Sequence, residues 1–162
     1  MLIRILLLNL LGCTMFGTLR ASAQTNDDLG WESAGVQYVL EHKEDLLRQR
    51  ASVLYQMMEE QKMGVRHIAT WGTSPYTDPD GVSYLTDIYL YSKDLTTLEK
   101  GDRYYELTIV LYTDKLDGWV VEETELWKSL DKKKPWIESF LLKTEPAIIE
   151  DVKIEEKTML FD

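Results

Sequence analysis

LTIVLYTDKLDGWVVEETELWK, residues 107–128, is the stretch on which the fold turns. Asp117-Gly118 stands between two runs rich in β-branched and aromatic residues, and Asp-Gly readily supplies the positive φ angles of a two-residue hairpin turn. The pattern predicts a strand over 103–114 and a return strand over 119–128. A two-residue loop sets the register: Leu116 faces Trp119, Tyr112 faces Glu123, Val110 faces Glu125 and Thr108 faces Trp127. On the opposite face Leu111 meets Thr124 and Ile109 meets Leu126, so that Leu107, Ile109, Leu111 and Leu126 look toward a helix.

Further strand patterns lie at 65–71, 82–92, 136–143 and 148–156, separated by turn signals. The connections are too short for helical crossovers, so the strands are expected to be antiparallel neighbours. YTDPDGVSYLTD, residues 76–87, invites comparison with a calcium loop. An EF-hand reading centred on Gly81 would begin at Tyr76, which has no carboxylate, and would end inside a strand pattern. Asp78-Pro79-Asp80-Gly81 instead matches type I turn preferences at every position.

Residues 33–63 repeat apolar side chains at helical spacing through Val36, Leu40, Leu47, Ala51, Leu54 and Met58. Ser33 reads as the N-cap and Gly64 as the residue past the C-terminus, with a break near Arg48-Gln49-Arg50. The expected fold is α+β: a long N-terminal helix packed on one face of a mostly antiparallel sheet of about six strands. That order is similar to cystatin-like and nuclear-transport-factor-like folds in general architecture only. The Q-x-V-x-G hairpin of cystatin inhibitors is absent, and no family is assigned.

The two ends of the chain differ in chemistry. Residues 1–23, MLIRILLLNLLGCTMFGTLRASA, combine Arg4, an apolar run and an Ala21-Ser22-Ala23 site, the layout of a secretory signal peptide. Residues 24–32 read as a flexible lead-in, and 33–162 as a single α+β domain. The expected location is secreted or periplasmic. Leu10-Leu11-Gly12-Cys13 also resembles a lipobox, whose alternative product is a lipoprotein anchored through Cys13. Cys13 is the single cysteine, so a chain cut after Ala23 has no disulfide, thiol catalysis or cysteine-ligated metal. No transmembrane segment follows the leader.

The net charge of −10 becomes −12 once Arg4 and Arg20 leave with the leader. That balance argues against nucleic-acid binding, which needs a basic footprint. His42 lies among charged neighbours and His67 has no second ligand at metal spacing, so no metal or cofactor is implied. No nucleophile elbow or phosphate-binding glycine loop occurs.

The hairpin register collects Tyr104, Tyr112, Trp119, Glu123, Glu125 and Trp127 on the face away from the helix. A neighbouring 82–92 strand with Ile88 and Leu90 inward adds Asp87, Tyr89 and Tyr91. The candidate ligand- or partner-binding residues are therefore Tyr89, Tyr91, Tyr112, Trp119, Glu123, Glu125 and Trp127. Rings among carboxylates suit a protein partner or a small amphipathic ligand such as a carbohydrate. Glu123 and Glu125, about 6.6 Å apart on one strand, also fall within glycosidase carboxylate spacing, although neighbours on one strand do not flank a bond. The reading leans away from an enzyme, toward a non-enzymatic binding or interaction domain. Its alternatives are a small-ligand-binding or hydrolytic enzyme with its site in a sheet concavity, and a lipid-anchored subunit of an envelope assembly.

Overall fold

The computed structural model describes residues 30–31, 34–73, 81–113 and 120–158. Four strands, β1 (His67–Gly72), β2 (Leu85–Tyr91), β3 (Arg103–Leu111) and β4 (Ile149–Thr158), form one sheet in sequence order. Every neighbouring pair is antiparallel. Alternation sends one set of side chains inward in complete rows: Ile68, Leu90, Leu107 and Ile154 in one, Thr70, Ile88, Ile109 and Val152 in the next. Most of these are fully buried and form the floor of a single core. At the end of β1 the register shifts between Trp71 and Gly72. A Cβ on Gly72 would stand 2.8 Å from the Tyr84 carbonyl, so only glycine lets the strands approach so closely there.

The expected single helix over 33–63 is three shorter ones, α1 (Ala34–Glu41), α2 (Lys43–Leu46) and α3 (Ala51–Glu60). The break lies at the expected Arg48-Gln49-Arg50, where Arg48 takes a left-handed φ of 65°. Its cause is tertiary pairing. The freed backbone of this segment bonds to the start of β4 through Arg48 N–H to Ile149 O at 2.8 Å and Ile149 N–H to Gln49 O at 2.9 Å. The helix phase also slips by one residue in the first half. Val39 and Leu46 are buried, whereas Leu40 is 40% exposed. At the far end Lys62, not Gly64, takes the left-handed position with φ 56°, and Met63 N–H reaches back to Met58 O at 2.8 Å. Ser33 lies outside the described residues.

Among the described residues the expected six strands are four. After the short α4 (Leu95–Leu98), capped by Asp94 accepting from Thr97 N–H at 2.8 Å, β3 runs as expected. The return strand does not. Residues within 119–128 form α5 (Glu123–Lys128), and residues within 136–143 form α6 (Trp136–Thr144). Consequently β3 pairs with β4, not with 119–128, and the register read from the hairpin does not exist. Asp117, Gly118 and the Asp78-Pro79-Asp80 turn fall outside the described residues. Glu123 in the first turn and Lys128 in the last suit the dipole of α5. Pro135 precedes α6, where a missing N–H costs nothing. Ile137, Phe140, Leu141 and Thr144 then repeat at helical spacing, with Phe140 and Thr144 fully buried. The architecture is α+β, with Val39, Leu54, Leu126 and Phe140 from the helices meeting the inward rows of the sheet. Among the described residues no helix is long and apolar enough to cross a membrane.

Candidate binding face

The outward rows of the sheet carry the densest chemistry. His67, Tyr91, Glu106 and Glu155 form one row, Ala69, Tyr89, Thr108 and Lys153 the next, and Trp71, Asp87, Val110 and Asp151 the third. Tyr89 therefore stands between the small side chains of Ala69 and Thr108. Trp71, diagonal to it on the edge strand, is 67% exposed. Tyr91 and Tyr104 rings lie 5.9 Å apart, and His67 lies 5.5 Å from Tyr91 and 6.0 Å from Trp136. Trp136 continues to Trp127 at 6.2 Å, so a line of rings runs from the sheet face around the β1 edge to the helices.

Beside these rings lies a half-buried ion pair. Glu106 is 6% exposed and directly opposite Glu155, a repulsive arrangement by itself. Lys157 resolves it by binding Glu106 and, at 3.1 Å, Glu155. Burial alone would lower the Lys157 pKa, but the two carboxylates outweigh it and hold the ammonium above its ordinary value. Burial raises the Tyr91 phenol, and Glu106, which accepts its hydroxyl proton, raises it further. Tyr89 is raised by burial, then by Asp87 and Glu106, and Tyr104 by burial and Glu106.

These shifts set a pH dependence. Above pH 10.0, the ordinary tyrosine value, the unfolded chain ionises its phenols first while the folded face keeps them neutral, so stability falls as pH rises. Burial lowers the His67 pKa below 6.5, so under that pH the unfolded chain takes up a proton that the folded His67 refuses, and stability falls again. Urea midpoints across pH should show a plateau between these limbs. Tyr91→Phe should reduce the alkaline slope by up to one proton, about 1.4 kcal/mol per pH unit. An unchanged slope would show that Tyr91 ionises freely.

The residues expected to share one face divide into separate places. Tyr89 and Tyr91 are on the outward face, with Tyr104 and Asp87. Tyr112 leaves the end of β3 and lies under the Arg48 guanidinium, 3.8 Å from its ring centroid. Glu123 turns to β1, where Thr70 Oγ1 donates to it, and Ser83 Oγ, just before β2, donates at 3.3 Å. Glu125, two residues on and across the helix, pairs with Lys128 at 2.7 Å. The helical turn thus parts the two carboxylates that a hydrolytic pair would need. Trp127 packs 5.1 Å from Phe140. Trp119 lies outside the described residues.

No protein-family model matches the chain, and no curated protein or solved structure matches it. Trp71, His67, Glu106 and Lys157 belong to the face although they were not among the candidates. Period-two alternation from Ile68, which is inward, already places His67, Ala69 and Trp71 outward together. Among the described residues, no group of three or more His, Cys, Asp or Glu could hold a metal ion.

Proposed function

We propose that this chain is a non-enzymatic binding domain, secreted or periplasmic, whose outward sheet face receives a neutral sugar chain. The observation that supports this reading most is Trp71, 67% exposed beside Tyr89 on the neighbouring strand. An exposed indole with a tyrosine ring diagonal to it offers apolar ring surface, which suits the apolar faces of pyranose units. Beside them stand the Asp87 carboxylate and the Thr108 hydroxyl, which can bond to sugar hydroxyls. A protein partner fits this face less well. Interface centres are depleted of charge, whereas each outward row here contains an ionisable side chain.

The test is calorimetric titration with cellohexaose, chitohexaose and laminarihexaose. One of these should bind, and Trp71→Ala with Tyr89→Ala should weaken it by about tenfold or more, about 1.4 kcal/mol, while the unfolding midpoint stays put. Heat from none of the three would count against the sugar reading.

Export rests on residues 1–23, which lie outside the described residues. An intact mass starting at Gln24 is the expected product. Acyl chains on Cys13 would instead mark a lipid-anchored envelope subunit.

A further inference from the structure

We propose a second site, independent of the sheet face: the groove between α3 and α6 holds a basic amphipathic helix from a partner protein. The groove has a volume of about 910 Å³ and an apolar floor of Met58, Met63, Val65, Ile137 and Leu141. Each wall is one stripe of a helix. Tyr55 and Glu59 sit four apart on α3, and Ile137 and Leu141 four apart on α6, with Glu145 a further four on at its C-cap. Tyr55 Oη and Thr144 Oγ1, 2.9 Å apart, join the two helices, and Thr144 Oγ1 also bonds to the Phe140 carbonyl at 3.0 Å. The Tyr55 hydroxyl on the wall is thus paired within the protein, and the floor offers apolar surface to an incoming side chain. Two stripes at helical spacing along facing helices form the cradle into which a third helix packs. Methionines in the floor let it adapt to the shapes of Leu, Ile or Phe anchors.

The rim gives the partner's charge. Glu59, Glu138 and Glu145 line it against Lys62, and the three carboxylates belong to exposed residues. Lys134 engages Glu138 at 2.9 Å, which leaves Glu59 and Glu145 on opposite walls as the field an incoming helix meets. A second copy of this chain is a poor occupant. Among the described residues α1 and α3 carry no basic side chain, and α6 carries one lysine, Lys143, against Glu138. A helix with Lys or Arg flanking an apolar stripe complements the rim on both sides.

The probe is a labelled synthetic helix of about five turns, Leu on one face and Lys on the other, compared with a version carrying Glu in place of Lys. Anisotropy at physiological ionic strength should show binding of the Lys peptide and none of the Glu peptide. Glu59→Lys with Glu145→Lys should cost about tenfold or more in affinity, and Leu141→Gln a similar factor, while Trp71→Ala with Tyr89→Ala leaves it unchanged. The exposed charge reversals keep the test valid should Leu141→Gln unfold. The proposal is overturned by equal binding of both peptides, by affinity that survives the reversals, or by binding that disappears with Trp71 and Tyr89. It is equally overturned if the protein is a dimer that Leu141→Gln dissociates, which would assign the groove to a second copy.

Discussion

Phe140→Ala lowers stability by about 3–5 kcal/mol, the cost of emptying a fully buried aromatic site. In a domain of this length that corresponds to a fall in Tm of roughly 10–20 °C. The ring is 0% exposed and stands 5.1 Å from Trp127, which is itself 37% exposed. Trp127 emission should therefore shift to the red as its inner wall is lost. Leu142→Ala is the matched control. In a strand over 136–143, Leu142 would share the Phe140 face and cost nearly as much. On the helix it is 43% exposed, and its removal should change stability by no more than about 0.5 kcal/mol. Equal losses at the two positions, read from urea unfolding, would mean that the segment is not helical.

Trp31→Ala carries a comparable loss, about 3–5 kcal/mol. Trp31 lies within the 24–32 lead-in, yet it is 1% exposed. Its indole stacks against Tyr105 at 6.3 Å, and its Nε1–H donates to the Gly64 carbonyl at 2.8 Å. Trp31→Phe separates the two contributions. It keeps most of the buried ring but leaves the Gly64 carbonyl without its donor, for about 1–3 kcal/mol. Should Trp31→Ala unfold at the wild-type midpoint, the indole would not be part of the core.

The strands were legible where a simple physical rule governs them. Ile88 and Leu90 against Tyr89 and Tyr91, or Leu107 and Ile109 against Glu106 and Thr108, alternate because one sheet face meets the core and the other does not. The patterns at 65–71, 82–92, 103–114 and 148–156 accordingly became β1 to β4. The same rule misled at α5 and α6. Val120, Val121, Trp127, Trp136 and Ile137 favour strands intrinsically, and both helices are too short for composition to outweigh that bias. The spacing of Ile137, Phe140, Leu141 and Thr144 was the better signal, because it is periodicity and not propensity that buries a face.

The candidate site followed the fate of that register. Tyr89 and Tyr91 needed only the alternation of their own strand, and they stand on the outward face. Tyr112, Glu123, Glu125 and Trp127 were placed by the pairing of 103–114 with 119–128, and they dispersed when β3 paired with β4. The break near Arg48-Gln49-Arg50 was legible from length, since one helix over 33–63 would span about 45 Å. Its reason, hydrogen bonds to Ile149 about a hundred residues away, depends on the whole topology.

The central claim, that the outward face of the sheet is the binding surface, is tested most directly by amide chemical-shift mapping. Isotope-labelled protein would be titrated with cellohexaose, chitohexaose and laminarihexaose in turn. Saturable shifts centred on Trp71, Asp87, Tyr89 and Thr108, with Tyr55 and Leu141 unmoved, are the predicted result. Shifts confined to the α3–α6 groove, or no shifts with any of the three sugars, would contradict it.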